Sequence, residues 1–542
     1  TVSDKLFVSN VVYASIGNGG GVAPFTSISA GKDGRPNLQG VYNANVKSPN
    51  GQASNFLHAN MNNHRWYGFI SGLDYRATDR TTISAGIDGR TYKGEHYREV
   101  YDLLGASYAV NTAFSRNMNI NPDIQQLKEG DKISFNNDGF VRYVGGFLMT
   151  EYKTNVVSAF ISGTLSTTNY KRKDYFLPKI FDINGQQVPV GFYTNPTALR
   201  NERRPVDNVL YTQSDYMLSG SDTVRLNQNT PVTIGSGSNA RQYQQVSGEG
   251  KLKESDWVNF TGYTLKGGLN YNLNEYNNIF FNLGYISKAP FFNNVFNTTS
   301  GDQYQDVRNE GVASFEIGYG INRGNFKANL NAYHTTWYNR SQSRTTPNED
   351  TEEFGITDVQ YILTGLDARH VGVELELAQE ISRKITLNAA ISLGDWRWNG
   401  TGFVRRLTVA GQFLSEGGFN ADKVHVGGSA QNQFMVGVRY EPIPGLYIRP
   451  TYLMFAKNYA DFSPQDMNPN ETPQDAFRLP TSRNIDIHSG YTWNFYKDLK
   501  LTLNGSLLNV LNEHYITDAP TRANINQFDP NSIEVFFNRG RT

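Results

Sequence analysis

The nine residues Leu499-Lys500-Leu501-Thr502-Leu503-Asn504-Gly505-Ser506-Leu507 decide how the rest of the chain is read. Odd positions carry Leu or Gly, and even positions carry Lys, Thr, Asn and Ser. A side-chain period of two is that of a β-strand with one greasy and one wet face. The same alternation recurs upstream. Val371, Val373, Leu375 and Leu377 alternate with Gly372, Glu374 and Glu376, while Phe326, Ala328, Leu330 and Ala332 alternate with Lys327, Asn329 and Asn331. Leu265, Leu269, Tyr271 and Leu273 oppose Lys266, Asn270, Asn272 and Asn274. Ile485, Ile487, Tyr491, Trp493 and Phe495 oppose Asp486, His488 and Asn494. These runs extend over roughly 11 to 18 residues, against the ~5–6 usual for soluble strands. A tilted strand needs about 9–11 to cross a bilayer.

The connections fall into two kinds. Tight ones are Ala77-Thr78-Asp79-Arg80, Lys153-Thr154-Asn155, Asn274 to Asn277, Asn322 to Asn325, Ser382-Arg383, Glu441 to Pro444 and Lys497-Asp498, supplied with Asn, Asp, Gly and Pro for turn geometry. Between them lie polar segments of about 20 to 80 residues, the longest from roughly Lys173 to Ser255, so that about sixteen strands alternate short turns with long loops. That asymmetry predicts an all-β, antiparallel transmembrane β-barrel over 1–542. Propellers and repeat arrays would show a fixed period, and none is present. Aromatics at Trp66-Tyr67, Trp337-Tyr338, Trp396 with Trp398, and Tyr491 with Trp493 suit interfacial girdles.

Composition agrees. Of the 542 residues 38% are hydrophobic, 18% charged and 13% aromatic, with 51 Gly and no Cys. A mean hydropathy of −0.52 is that of a water-soluble chain. A membrane barrel shows the same average, because only every second residue meets lipid. Lys plus Arg equals Asp plus Glu at 50 each, so no global basic field points to nucleic acid. Without Cys there is neither a disulfide framework nor a thiolate metal site. Metalloprotease, nucleophile-elbow and phosphate-loop signatures are absent. Glu95-His96 with Glu99 is read as ordinary polarity, Gly17-Asn18-Gly19-Gly20-Gly21 as the opening of a loop, and the scattered histidines as forming no ligand spacing. No catalytic, cofactor or metal residue is therefore expected.

Several motifs carry a family resemblance. Asn509-Val510-Leu511-Asn512 with Tyr515, then Gly540-Arg541, stand near the end of the chain. Upstream are Ser287-Lys288-Ala289-Pro290-Phe291-Phe292, Asn309-Glu310 with Glu316-Ile317-Gly318-Tyr319, and Ala368 to Glu376. Tyr459-Ala460-Asp461-Phe462, Leu479-Pro480, Asn63 to Gly68 and Tyr92 to Tyr97 complete the series. In this order they resemble the barrel of TonB-dependent outer-membrane transporters, in the style of Bacteroidetes-like Gram-negative bacteria. The runs typical of starch-utilisation glycan importers are not among them. The resemblance implies a barrel of about twenty-two strands with a plugged lumen. On that reading the plug, the TonB-contacting segment and six strands would precede Thr1, and the last strand would be cut short.

What the resemblance implies about function is active import. A scarce ligand (siderophore, haem, cobalamin, oligosaccharide or peptide) would bind at the extracellular loops and be drawn in by the TonB energy-transducing complex. The expected partners are outer-membrane lipid, the protein's own plug, that complex and the ligand. Candidate ligand residues are Phe291, Phe292, Trp396, Trp398, Arg405 and Arg406, able to stack on or pair with a ligand. Candidate plug-facing residues are Lys266, Asn270, Glu374, Glu376 and Asp486, all on the wet side of their strands. A sixteen-stranded diffusion porin, a barrel hydrolase and a surface adhesin are the rival readings.

Overall fold

The computed structural model describes residues 3–31, 35–110, 126–176, 253–297, 307–351, 355–408, 413–460, 475–496 and 499–518, with short pieces at 180–183, 186–189, 209–211, 216–219, 232–234, 241–245, 301, 303–304, 470–473 and 536–537. The turn Lys497-Asp498 and the pair Gly540-Arg541 lie outside the described residues, as does most of the segment between Lys173 and Ser255.

One antiparallel sheet forms the wall. Its strands in chain order are β1 (Leu6–Pro24), β2 (Leu57–Thr78), β3 (Thr81–Asp102), β4 (Lys132–Lys153), β5 (Val157–Asp174), β6 (Val258–Asn272), β7 (Asn277–Lys288) and β8 (Glu310–Arg323). They continue with β9 (Phe326–Thr351), β10 (Gly355–Ser382), β11 (Ile385–Asn399), β12 (Thr401–Thr408), β13 (Phe413–Asn420), β14 (Asn432–Tyr440), β15 (Leu446–Ala456), β16 (Ser482–Tyr496) and β17 (Leu499–Leu507). With the two-residue piece Lys253–Glu254 this is an eighteen-stranded sheet. Each wall strand pairs with its neighbour in sequence, except that β11 skips the β12–β13 hairpin to pair with β14. Among the described residues β1 and β17 pair with no common partner.

The cross-strand register tests the alternation directly. Tyr271, Ile279, Tyr319, Leu330, Leu375, Ile391, Phe434 and Met454 line up across eight neighbouring strands. One step along, the row on the other face reads Asn270, Phe280, Gly318, Asn331, Glu374, Ser392 and Gln433. Because a one-residue slip would exchange these faces, the register is fixed by the sequence pattern itself. The greasy face is also the uncovered one: Leu165, Leu269 and Leu503 are exposed in the isolated chain. In a lipid bilayer this is the buried surface.

Tyrosines bracket the greasy band. Tyr75, Tyr152, Tyr271, Tyr319 and Tyr440 sit on it next to the tight turns, and Tyr67, Tyr263, Tyr285 and Tyr338 sit on it towards the loops. Tyr67 to Tyr75, like Tyr263 to Tyr271, is about eight residues, or roughly 26 Å of strand at ~3.3 Å each. That matches an apolar band about 25 Å tall once strands tilt. The girdle expectation is corrected in detail. Of each Trp-Tyr pair only Tyr67 and Tyr338 face outward, while Trp66, Trp337, Trp396 and Trp398 face inward, since adjacent strand residues must point to opposite sides. Tyr491 and Trp493 do face outward.

Two further expectations change. Gly17 to Gly21 lie inside β1, paired with Met61 to His64 and Asn60, rather than opening a loop. The polar stretch between Trp337 and Val371 is no loop either. β9 and β10 continue as one ladder to Thr351 and Gly355, through register shifts at Trp337/Arg340, Arg340/Gln342 and Thr346/Glu349. Irregular bulges of this kind break the period-two signal without breaking the strand. β12 pairs with this projecting hairpin and carries β13 beyond it.

An arginine placed mid-band should separate the two faces. Leu283→Arg, in the row midway between Tyr263 and Tyr271, is expected to cost about 2–4 kcal/mol of folding stability in vesicles, and Asn282→Arg, one residue away on the lumen face, far less. Denaturant titration of the intact reconstituted protein measures both.

Candidate ligand vestibule

About eleven residues from the tight turns, the inner face of β2–β4 carries a cluster of aromatic and basic side chains; nearer those turns the same face carries Gly68, Gly72, Asp74, Ser84, Gly86, Asp88 and Gly145, with Ile70, Arg76, Phe147 and Met149 among them. Trp66, Arg90, Tyr92 and Tyr143 share that face because their strand positions pair in register: Trp66 with Tyr92, and Arg90 with Tyr143. The Arg90 guanidinium lies 5.4 Å from the Trp66 ring centroid and 4.8 Å from that of Tyr143. It makes no ion pair among the described residues, so its charge is balanced only by ring faces and water. Beside it, the Tyr92 hydroxyl is 2.6 Å from His64 Nδ1, and Asn62 Oδ1 is 2.7 Å from His96 Nδ1. The two imidazoles approach to 6.0 Å. Sequence spacing did not pair them, since they sit on different strands. Among the described residues no group of three or more His, Asp and Glu could hold a metal ion. Glu95 points to the opposite face from His96, as expected of neighbours on a strand.

A second inward patch stands on β9–β11. Trp396 Nε1 donates to the Tyr333 hydroxyl at 2.9 Å, and the His370 ring stacks on Trp396 at 5.3 Å. Tyr333 lies across Gly372, where there is no room for a Cβ. The ring thus lies flat along the wall instead of projecting into the lumen. Trp398 has a different fate. It is 2% exposed, packed with Leu363, Leu366, Phe419, Val424 and Tyr459 beneath the β12–β13 hairpin. Of the expected pair, Trp396 faces the lumen and Trp398 is core.

Phe291 is exposed, while its neighbour Phe292 turns into the wall. The loop after β7 folds inward, and Phe292 meets Tyr170 at 5.6 Å and Phe296 at 5.1 Å, with Val295 and Phe260 in the same cluster. The Tyr170 hydroxyl donates to the Pro290 carbonyl at 3.0 Å and fixes the fold-back. Arg405 and Arg406 point to different partners. Arg405 pairs with Glu416 at 3.0 Å, and Arg406 Nε donates to the Tyr361 hydroxyl at 3.2 Å. Arg405 also lines a cleft of about 290 Å³ with Asn294, Arg308, Asn339, Ser341, Thr364 and Phe403, between the folded-back loop and the projecting hairpin. The six candidates are thereby spread over three places: the loop cluster, the inward wall and this cleft.

Lys266, Asn270, Glu374, Glu376 and Asp486 all share the inner face; the first four lie below the aromatic level, whereas Asp486 stands at the loop end of β16, level with it. Lys266, Glu374 and Glu376 make no ion pair among the described residues. Asn270 is held by Asn278 at 2.6 Å and Asn272 at 2.9 Å. Asp486 accepts from Asn484 and from the Asn509 backbone N–H at 2.8 Å, so its work is to anchor the chain leaving β17.

The loops are tied to one another at the mouth. Helix α1 (Leu38–Val46), capped by Asn37 accepting from the Gly40 N–H, presents a buried Asn45. Its amide donates to the carbonyls of Asn55 and Leu103, at 2.9 and 3.0 Å, and joins the β1–β2 loop to the β3–β4 loop. On the other side His425 stacks on Tyr459 at 4.0 Å and reaches Asp475 at 2.7 Å.

A model of the TonB dependent receptor-like β-barrel matches residues 11–510. The chain belongs to the TonB-dependent receptor family. Barrels of this family sit in the outer membrane of Gram-negative bacteria, and its members are receptors and transporters rather than enzymes. No curated protein matches the sequence. Among solved structures, the copper transporter OprC aligns with a TM-score of 0.56 at 12% identity, over 100% of this chain and 62% of its own. The ferric-catecholate import receptor Fiu from K12 E. coli, in its closed form, aligns with a TM-score of 0.53 at 11% identity, over 100% of this chain and 61% of its own. Likeness at this level speaks for the fold, and the chain spans less than two thirds of the length of either structure.

For this TonB-dependent receptor barrel, the inward fold of the β7–β8 loop rests on one aromatic cluster. Phe292→Ala is expected to remove about 2–3 kcal/mol of local packing, below the ~3–5 kcal/mol of a fully buried Phe because Phe292 is only half-buried. Hydrogen exchange should quicken across 289–297 and stay unchanged in β5 and β6. At the outer end of β2, burial first and the Arg98 charge second push the His58 imidazole down from 6.5 to about 4. Such a depressed group contributes its full stability above about pH 6.5 and loses it as pH falls towards 4. The Phe25–Phe56 contact beside it should therefore loosen between those values in wild type and not in His58→Gln, read by the same exchange measurement.

Proposed function

We propose that the intact protein is an outer-membrane active transporter. It captures a scarce ligand at the aromatic and basic mouth of the barrel and imports it with TonB-transduced energy. The observation carrying this reading is the family match over 11–510, set on a wall whose inner face changes character along its height. Towards the loops the lumen offers Arg90, Trp66, Tyr143, His64 and His96, which can stack on and pair with a ligand carrying planar and anionic groups. Towards the tight turns it offers Lys266, Glu374 and Glu376, charged and unpaired among the described residues, as docking points for a plug domain. A siderophore, haem, cobalamin, oligosaccharide or peptide all fall within the ligand classes that such a mouth can serve. Phe291, Trp396 and Arg405 remain candidate ligand contacts, while Phe292, Trp398 and Arg406 act by shaping the mouth. A Bacteroidetes-like source is part of the same proposal.

A passive porin makes the opposite prediction about energy. Uptake of the ligand by cells carrying the intact protein should fall to background when the proton gradient is collapsed, with surface binding retained. Uptake that survives collapse would establish the porin instead. Replacing both Glu374 and Glu376 by Ala is expected to leave binding intact and raise single-channel openings in planar bilayers, as a less firmly seated plug would.

A further inference from the structure

The projecting sheet of β9, β10, β12 and β13 has two faces. On one, Leu363, Leu366, Val404 and Phe419 close the core around Trp398. The other carries Ile362 opposite Arg405 and Thr364 opposite Phe403. The β7–β8 loop leans on this second face through Tyr304, which packs with Ile362 and Leu407. Asn294 ties the loop to the Ser341 carbonyl at 2.9 Å. The cleft of about 290 Å³ lies between loop and sheet. That is the small end of the ~300–1,000 Å³ usual for ligand sites, and it has room for one sugar-sized molecule.

The backbone is bent at the cleft. Tyr338-Asn339 on β9 face the single residue Asp367, and directly afterwards Thr364-Gly365 on β10 face the single residue Ser341. Asn339 (φ 52°) and Gly365 (φ 69°) are both left-handed, and both line the cleft. Bulges re-aim side chains and recur beside functional sites, and a left-handed residue other than glycine stores strain of the kind that clusters there. An orphaned hydroxyl points the same way. Tyr304 lines the cleft at 6% exposure, and its hydroxyl has no hydrogen-bond partner. The Gln360 amide stands near it, outside hydrogen-bonding geometry, with its own Oε1 buried and unpartnered. A buried polar group of this kind keeps its desolvation penalty until another polar atom meets it.

The free charge of the cleft is single. Arg405 is neutralised by Glu416 at 3.0 Å, whereas Arg308 is exposed and makes no ion pair among the described residues. One unpaired guanidinium suits one carboxylate, gripped by two parallel bonds. Asn339, Ser341, Thr364 and Tyr304 suit hydroxyl groups, and Phe403 with Ile362 offers an apolar wall to a ring. We propose that this cleft binds a sugar acid, a uronate unit whose carboxylate meets Arg308. Its hydroxyls meet Asn339, Thr364 and the orphaned Tyr304 hydroxyl, and its ring lies against Phe403. The inference deepens the transport reading and rests on it, since it names a ligand class for one part of the mouth.

The test is calorimetric titration of the intact purified protein in detergent with methyl β-D-glucuronoside, with the neutral methyl β-D-glucoside, and with inorganic phosphate. Wild type should bind the glucuronoside saturably and the glucoside about tenfold or more weakly, the scale of a charge-assisted pair of hydrogen bonds. Arg308→Gln should bring the two sugars to the same weak affinity. Tyr304→Phe removes an oxygen that no protein group uses, so the fold should be at least as stable as wild type while glucuronoside affinity falls about threefold to tenfold. Asn339→Gly keeps the left-handed backbone and should also weaken binding. Folding of each variant is checked by the heat-dependent shift of barrels on SDS gels. No saturable glucuronoside binding by wild type, equal binding of the two sugars, or folded variants that bind as wild type does would overturn the site. Phosphate bound as tightly as the glucuronoside would also overturn it, by showing a general anion site. No energised membrane takes part, so failure here leaves energy-dependent uptake of another ligand standing, and uptake that proves passive leaves this binding standing.

Discussion

Backbone amides and carbonyls inside hydrocarbon have no water to turn to, and every other feature of this wall follows from that constraint. Each unsatisfied group would cost several kcal/mol, so a strand may enter the bilayer only if both of its edges are paired. The unbroken ladder from β1 through β17 meets that demand for every interior strand. With hydrogen bonding settled by the ladder, side chains are free to serve two solvents at once. The outward rows dissolve in lipid and the inward rows in water. Among the described residues, cores in the usual sense stand where loops cover the mouth, as around Trp398 and Phe419, around Phe296, and around Phe56 and Val100.

Much of this was legible in the sequence, for a physical reason. A strand facing lipid on one side must alternate strictly, so Leu499 to Leu507 and Val371 to Leu377 could be read without ambiguity. The tight turns were legible because turn geometry restricts residue choice. Outside the bilayer the constraint lapses. β9 and β10 above Trp337 have left the lipid, carry bulges and pack locally, with Val359, Tyr361, Leu363 and Leu366 buried, so strict alternation is no longer demanded and a strand reads as a loop. The glycines of β1 misled in the opposite direction, since flanking pairs on β2 satisfy a glycine strand that has little propensity of its own. Trp66-Tyr67 and Trp337-Tyr338 look like one signal in sequence and split into two roles on a pleated wall.

The vestibule was harder to read because its members are distant in sequence and belong to inward rows. His64 and His96 meet through the β2–β3 register, and Arg90 finds Trp66 and Tyr143 across two strand boundaries. No local motif encodes such a meeting. The expected ligand residues instead belong to aromatic or arginine clusters contiguous in sequence, and neighbours on a strand point to opposite faces, so some members turn away. Phe291 and Phe292 part at the loop, while Trp398 passes beneath the β12–β13 hairpin and Trp396 does not.

The mouth shows how loops of a membrane barrel acquire definition without a second protein layer. Among the described residues three fastenings of this kind are seen, each a buried polar or aromatic group reaching to a neighbour: Asn45 to the Leu103 carbonyl, Tyr170 to the Pro290 carbonyl, and His425 to Asp475. A buried polar side chain whose partner is removed keeps its full desolvation penalty, so each fastening has a strong preference for the closed arrangement. Flexible loops would lose conformational entropy on capturing a ligand, and a fastened mouth has already lost most of it before the ligand arrives. In the transport proposed above, energy drawn from another membrane would then be directed at whatever fills the lumen, while the wall and its mouth stay as they are.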